Sequence, residues 1–238
     1  EDIKEVKTSR DVALSKVGRD IYEKIFENYT KKQWGVDPAQ LDTSVISRIP
    51  IRVNRDTRYF ADRYQGMPKY GYTKMCENMA ASKNIKILLN TDYKEVIDQI
   101  DYELLIYTGP ADEFYNYKYG KLAYRSIKFR FETFDKEEYQ EAAVINYPND
   151  YDFTRITEFK KLTWQKHHKT TICKEFPCSE GEPYYPFPTR ENKEQYALYE
   201  NEMKKETNVY FLGRLAEYRY YNMDGVVRRA LDVFNQLK

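Results

Sequence analysis

Apolar residues recur at four-residue spacing at Val17, Ile21, Ile25 and Tyr29, and this stripe predicts a helix over 12–29. Gly35 and Pro38 interrupt it, and residues 39–47 are expected to form a second, short helix. From 50 to 65 the pattern changes to alternation, with Ile51 and Val53 set between Arg52 and Asn54, the signature of an extended segment. Gly66 and Pro68 mark a turn, and a helix through Met75 and Met79 is expected after Gly71. Two short apolar runs follow, Ile85-Lys-Ile-Leu-Leu89 and Leu104-Leu-Ile-Tyr107. Continuous apolar runs of this length read as strands covered on both faces, as in a parallel sheet.

Over 122–176 the runs shorten and alternate: Ile127 to Phe131, Ala143 to Tyr147, Phe153 to Glu158 and Thr170 to Phe176, with Pro148-Asn149-Asp150 as one separator. That is the pattern of an antiparallel sheet. A polar helix is expected at 191–206, then a strand Val209-Tyr-Phe-Leu212 closed by Gly213. A final helix over 224–237 places Val227, Leu231 and Phe234 on one face. The fold class read from this order is mixed α/β. Its parallel pieces, at 85–110 and 209–237, are too few to build a doubly wound sheet alone, because two or three strands leave edges and a face uncovered. The chain is therefore expected to be part of a larger protein.

Composition narrows the chemistry. Lys and Arg number 39 against 38 Asp and Glu, so the basic excess of a nucleic-acid binder is missing. No apolar run approaches the length of a membrane span. The nine glycines never fall as GxG, which excludes a dinucleotide fingerprint and a P-loop within these residues. The two histidines are adjacent, His167 and His168, an arrangement ill suited to a nucleophile–histidine triad. Cys76, Cys173 and Cys178 form no zinc pattern, and their sparse, odd-numbered use fits a reducing, cytoplasmic setting. Tyr supplies 24 of the aromatic residues.

What remains is a recurring association of Arg with Tyr. Tyr29-Thr-Lys-Lys-Gln-Trp-Gly35 carries an indole that either stacks on a flat ring or anchors a helix end on the core. Arg48-Ile-Pro-Ile-Arg52 and Tyr59-Phe-Ala-Asp-Arg-Tyr-Gln-Gly66 offer guanidinium forks that match phosphate oxygens, or else a solvated face. Arg125 and Arg155 lie on expected strands, and Glu182-Pro-Tyr-Tyr-Pro186 adds phenol hydroxyls. Gly213-Arg-Leu-Ala-Glu-Tyr-Arg-Tyr-Tyr-Asn-Met223 joins a strand to a helix. Arginine and tyrosine without a catalytic histidine, a metal cluster or paired carboxylates suit binding a diphosphate and a sugar. Any reaction at such a site needs a cofactor to carry it.

These segments, together with Gly71-Tyr-Thr-Lys74, Tyr107-Thr-Gly-Pro110, Ala123-Tyr-Arg-Ser126, Thr154-Arg-Ile156 and Gly213-Arg-Leu-Ala-Glu-Tyr218, resemble the prokaryotic UDP-galactopyranose mutases in order over almost the whole chain. The part resembled is the family's middle and C-terminal portion; the GxGxxG segment that begins its FAD-binding domain has no counterpart here. The resemblance implies part of a Rossmann-like FAD-binding domain (66–117 and 191–238), a helical domain with a mobile lid (1–47, the lid around Lys31 to Ser47) and an antiparallel substrate domain (48–65 and 118–190). It implies an isomerase that interconverts UDP-galactopyranose and UDP-galactofuranose, in which N5 of reduced FAD attacks the anomeric carbon. It implies Arg48 and Arg155 as the arginines that grip the diphosphate. Tyr29, Trp34, Tyr59, Tyr185 and Tyr220 follow as substrate contacts, and Arg125, Gly213, Arg214 and Asn222 as flavin-side residues. No metal is implied, the partner is UDP-galactose, and the full-length protein is expected to be a homodimer. Asn222 stands where the family usually has an acidic residue, keeping the hydrogen-bonding shape without the charge. The alternatives are a non-catalytic UDP-sugar-binding fragment and a different FAD-dependent oxidoreductase.

Overall fold

The computed structural model describes residues 3–238; the first two residues of the expected helical portion 1–47 lie outside them. The chain opens with a helical unit. α1 (Ser9–Ile21) starts on a reciprocal cap, in which the Thr8 hydroxyl accepts from the Asp11 amide and the Asp11 carboxylate accepts from the Thr8 amide. A π-wound turn (Tyr22–Glu27) carries it into α2 (Asn28–Trp34), which stops at Gly35 in the left-handed conformation, φ 75°. A single 3₁₀ turn (Pro38–Gln40) and α3 (Ser44–Ser47) replace the one helix expected over 39–47.

The expected stripe has the wrong phase. Ile21 and Ile25 are exposed, whereas Val12, Ala13, Leu14, Tyr22 and Trp34 pack with Leu41, Val45 and Ile46. Two local features rotate the buried face: Gly18 leaves helical geometry (φ 74°, ψ 174°), and the π turn adds a residue to the following coil. Tyr22 is fully buried, and its hydroxyl has no partner among the described residues. Burial pushes its pKa up to about 12. Tyr22→Phe is therefore expected to leave stability unchanged or raise it by up to about 1 kcal/mol, read as the urea midpoint at constant slope.

Residues 50–65 form no strand; Ile51 and Val53 stand exposed, and the segment is held by local bonds such as Arg58 to Asp56. α4 (Gly71–Met79) forms as expected but buries none of its residues. The run Ile85–Leu89 is also not a strand, and its side chains are exposed. The cause is common to both segments: a strand exists only through a neighbour's hydrogen bonds, and among the described residues none is paired with them. α5 (Tyr93–Val96) leads to β1 (Leu105–Tyr107) and α6 (Ala111–Phe114).

The antiparallel sheet follows. β2 (Tyr124–Phe134), β3 (Val144–Asn146), β4 (Arg155–Glu158), α7 (Phe159–Thr163), β5 (Thr170–Cys178) and β6 (Tyr185–Pro186) come in chain order, and the spatial order of the strands is β3-β4-β5-β2-β6. α8 (Arg190–Met203) begins on a Thr189 cap. β7 (Val209–Phe211) pairs parallel with β1, and α9 (Gly213–Ala216) and α10 (Met223–Gln236) end the chain. The fold is mixed α/β. Among the described residues no helix is long and apolar enough to cross a membrane.

A second core explains much of the tyrosine content. Tyr115, Tyr119, Tyr124, Tyr196, Tyr199 and Tyr218 pack around Ala111 and Leu122. Each ring fills apolar space while its hydroxyl reaches a fixed acceptor: Tyr199 to the Gly120 carbonyl at 2.5 Å, Tyr196 to Ala216 at 3.1 Å, Tyr119 to Glu202 at 2.6 Å, and Tyr218 to Ala123. Burial raises the pKa of Tyr124, Tyr196 and Tyr218, so these phenols stay neutral donors.

The accessible surface is 16912 Å². A compact monomer of 28.6 kDa exposes about 11,000 Å². Met79 on α4 and Met223, Val227, Leu231 and Phe234 on α10 are among the exposed apolar residues. The apolar face expected on the last helix exists; Pro68, Tyr72 and Met75 share an open hollow with Met223, Val227 and Leu231, which stay exposed.

Candidate functional site

Where the helical unit, the antiparallel sheet and the β7–α10 segment meet, they bring three arginines and four tyrosines together. α2 presents Tyr29, and Arg48 follows α3. β4 begins at Arg155, whose register partner on β5 is Glu175. β6 contributes Tyr185, and the segment around α9 contributes Arg214 and Tyr220.

Arg155 is held from two sides. Its Nη2 donates to the Tyr29 hydroxyl at 2.5 Å, and its Nε lies 3.5 Å from Glu175 Oε2. That Nε–H is buried and makes no hydrogen bond among the described residues. Burial works against the guanidinium charge, yet Tyr29 and Glu175 keep its pKa above the ordinary value. Burial raises the pKa of Glu175, with Arg155 opposing.

Tyr220 lies between two cations. The Arg48 guanidinium carbon is 4.7 Å from its ring centroid and that of Arg214 is 4.8 Å away. Arg214 also lies 5.1 Å from the Tyr185 ring, which stacks on Tyr220 at 5.9 Å with an interplanar angle of 9°. Ring faces offset some of the repulsion between guanidiniums. Arg214 is aimed by two carbonyls, those of Tyr184 at 3.1 Å and Tyr221 at 2.6 Å. Arg48 reaches the Tyr59 hydroxyl at 3.4 Å, so the residues around Arg48 and Tyr59 converge without any strand in the intervening segment. Three guanidiniums against one carboxylate, with phenol donors between them, form a surface complementary to a multiply charged anion.

Other predicted residues stand around this cluster in different roles. Trp34 is buried, stacked on Phe187 at 6.1 Å and edge-on to Tyr185 at 6.4 Å, so it braces Tyr185 from within the helical core. Arg125 is buried and donates to the carbonyls of Gln33 at 3.0 Å and Lys32 at 3.4 Å. It closes the C-terminal end of α2, where a cation and its donors match the unpaired carbonyls. Gly35 is required there twice over, by its φ of 75° and because an added Cβ would sit 3.0 Å from Arg125 Nη1. Gly213 has φ 93°, and its amide donates to Glu217 at 2.9 Å. Asn222 is exposed at the N-cap of α10 and makes no side-chain capping bond.

For a flavin, the structure provides one suitable feature. The C-terminal ends of the parallel strands β1 and β7 lie side by side and lead into Gly109 and Gly213. Ligands bind at that end of open parallel sheets. The residues fit one wall of such a site, and no phosphate-binding glycine loop is among them. Among the described residues no cluster of His, Cys, Asp and Glu is arranged to hold a metal.

Sequence reasoning missed Glu175 and Lys32. Glu175 is twenty residues from Arg155, and only strand register sets them opposite each other. Lys32 was visible in the Tyr29–Gly35 motif, but its partners are backbone carbonyls, which carry no side-chain signal.

The UDP-galactopyranose mutase family model matches residues 24–220. The chain is 40% identical over 234 residues to a probable UDP-galactopyranose mutase of Klebsiella pneumoniae, covering 96% of this chain and 60% of that protein. It is 36% identical over 240 residues to the dTDP-fucopyranose mutase of Escherichia coli, covering 97% and 64%. A UDP-galactopyranose mutase of Mycoplasma genitalium is 32% identical over 233 residues, covering 90% and 57%. A crystal structure of reduced UDP-galactopyranose mutase superposes with a TM-score of 0.72 at 15% identity, covering all of this chain and 70% of that one, a likeness of fold. The chain thus spans about three-fifths of the length of the curated relatives it matches.

Proposed function

The chain belongs to the UDP-galactopyranose mutase family, and from that premise we propose that it forms the substrate-holding part of a flavin-dependent isomerase that interconverts UDP-galactopyranose and UDP-galactofuranose. The observation that carries this reading is Arg155, a half-buried guanidinium braced by Tyr29 and Glu175 within the arginine–tyrosine cluster. Arg155 and Arg48 grip the diphosphate, and Tyr59, Tyr185 and Tyr220 donate phenol hydrogen bonds to its oxygens. Arg214 adds a third positive charge on the flavin side. Trp34 supports Tyr185 beside the uridine. When UDP leaves the sugar, negative charge grows on the β-phosphate. Guanidiniums already in place stabilise that charge without reorganising. They also hold UDP in position to recombine with the sugar. Gly213, Arg214, Asn222 and Arg125 are the residues proposed toward reduced FAD, which would supply the nucleophile that the arginine–tyrosine cluster lacks.

The dTDP-fucopyranose mutase among the relatives marks the shared chemistry as that of a nucleoside-diphosphate sugar. The division into a helical portion, an antiparallel portion and a parallel portion is part of the same proposal. So are a cytoplasmic setting and a homodimeric full-length protein. Calorimetry on the 238-residue chain is expected to show UDP binding at least about 100-fold tighter than uridine, because the diphosphate makes the charged contacts. Equal affinity for the two would remove the diphosphate reading. Flavin absorbance that shifts on adding UDP would favour the isomerase over a binding fragment.

A further inference from the structure

Lys32 lies outside the arginine–tyrosine cluster, one helical turn from Tyr29. Its ammonium is surrounded by four backbone carbonyls of one loop: Tyr147 at 2.5 Å, Asp150 at 2.9 Å, Tyr151 at 3.0 Å and Phe153 at 3.3 Å. An ammonium has three protons, so every one is engaged and some are shared. The loop is the turn between β3 and β4, and Arg155 begins β4 two residues after Phe153. Tyr151 adopts φ 62°, a left-handed conformation that an aromatic residue reaches only when its surroundings hold it there. A second clamp grips the same loop: Asn149 accepts from Asn28 at 2.9 Å and donates to the Lys24 carbonyl, inside the π turn, at 2.9 Å.

These contacts close a ring. Tyr29 touches Arg155 directly. Lys32, on the same helix, gathers the loop that leads into Arg155. We propose that Lys32 is a positioning residue for Arg155: by drawing the Tyr147–Phe153 carbonyls onto α2, it sets the start of β4 so that the Arg155 guanidinium meets both Tyr29 and the substrate diphosphate. The inference rests on the reading of Arg155 given above. Burial lowers the Lys32 pKa, with Asp150 and Asp152 opposing, and the four carbonyls supply acceptors for its protons.

The test is a double-mutant cycle on UDP affinity, measured by calorimetry on the 238-residue chain with Lys32→Met, Arg155→Ala and the pair. Lys32→Met is expected to weaken UDP about tenfold, and the double variant to bind no worse than Arg155→Ala alone within about twofold. Lys32→Arg, which keeps the charge and the donors, is expected to stay within about threefold of the unsubstituted chain. Unchanged UDP affinity in Lys32→Met, with only a lower melting temperature, overturns the proposal. So does a loss in the double variant equal to the product of the two single losses. If Lys32→Met does not fold, Asn149→Ala loosens the same loop and is expected to show the same non-additivity with Arg155→Ala; additivity there also overturns the proposal. An Arg155→Ala chain that binds UDP normally strikes the reading of the site itself, a result separable from the others.

Discussion

Arg155→Ala is expected to reduce UDP affinity by about 100-fold, equivalent to ~2.7 kcal/mol, while the folded structure is retained. The size follows from three terms that act together. The substitution removes a charge-assisted fork, which is stronger than a neutral hydrogen bond. It strands the Tyr29 hydroxyl, which receives Nη2 at 2.5 Å. It leaves the partly buried Glu175 without its cation and beside an anionic ligand. Arg155→Lys restores the charge without the fork and is expected to recover only part of the loss. Calorimetry with UDP measures both variants, and full affinity in Arg155→Ala would place the diphosphate elsewhere. In a full-length enzyme the same substitution is expected to abolish turnover while flavin stays bound.

The second large effect concerns the other end of the same strand. Glu158 is completely buried, and no lysine or arginine forms an ion pair with it among the described residues. Its Oε1 accepts from the Thr170 hydroxyl at 2.5 Å and the Tyr139 amide at 2.9 Å, and its Oε2 from the Gln140 amide at 3.1 Å. Burial alone would raise its pKa, but these donors hold it below the usual carboxylate value. Glu158→Ala leaves two amides and a hydroxyl without an acceptor in the sheet interior and is expected to cost about 3–5 kcal/mol. The sign with pH follows from the lowered pKa. The contribution of Glu158 is present above its unfolded pKa of about 4.3 and is lost as pH falls through the lower folded value. Urea unfolding at neutral pH and at pH 3 checks both statements: the difference between wild type and Glu158→Ala is expected to shrink at the acid end. An equal difference at both pH values would mean that the carboxylate charge is not what the three donors stabilise.

The elements readable from the chain are those whose signals are local. α4 starts at Gly71, α8 has its Thr189 cap, and α10 has an apolar stripe at Val227, Leu231 and Phe234. The alternating runs of 122–176 became β2 to β5, and the Tyr107 and Phe211 runs became a parallel pair. The failures have two origins. Ile85–Leu89 and 50–65 carry apolar or alternating patterns without a strand beside them, and an extended chain with no neighbour gains no ladder. In the first helix, Gly18 and the π turn shifted the buried face away from Ile21 and Ile25, because a phase error within one helix is invisible to spacing that assumes a uniform coil. The tyrosine excess was visible as a number. Its division into a hydrogen-bonded core around Tyr199 and a stacked pair at the arginine cluster, Tyr185 and Tyr220, was not.

By itself, the order of residues determined the mixed α/β class, the family, and the membership of Arg48, Arg155, Arg214, Tyr59 and Tyr220 in a recurring arginine–tyrosine theme, because residue type and local period are properties of the chain. Tertiary structure decided what each of them does. It set Glu175 against Arg155 through strand register, placed Tyr220 between two guanidiniums, turned Arg125 toward the end of α2, and wrapped a loop around Lys32. Those assignments depend on groups far apart in sequence, many of them backbone carbonyls, and such partners are chosen by packing and hydrogen-bond satisfaction in three dimensions.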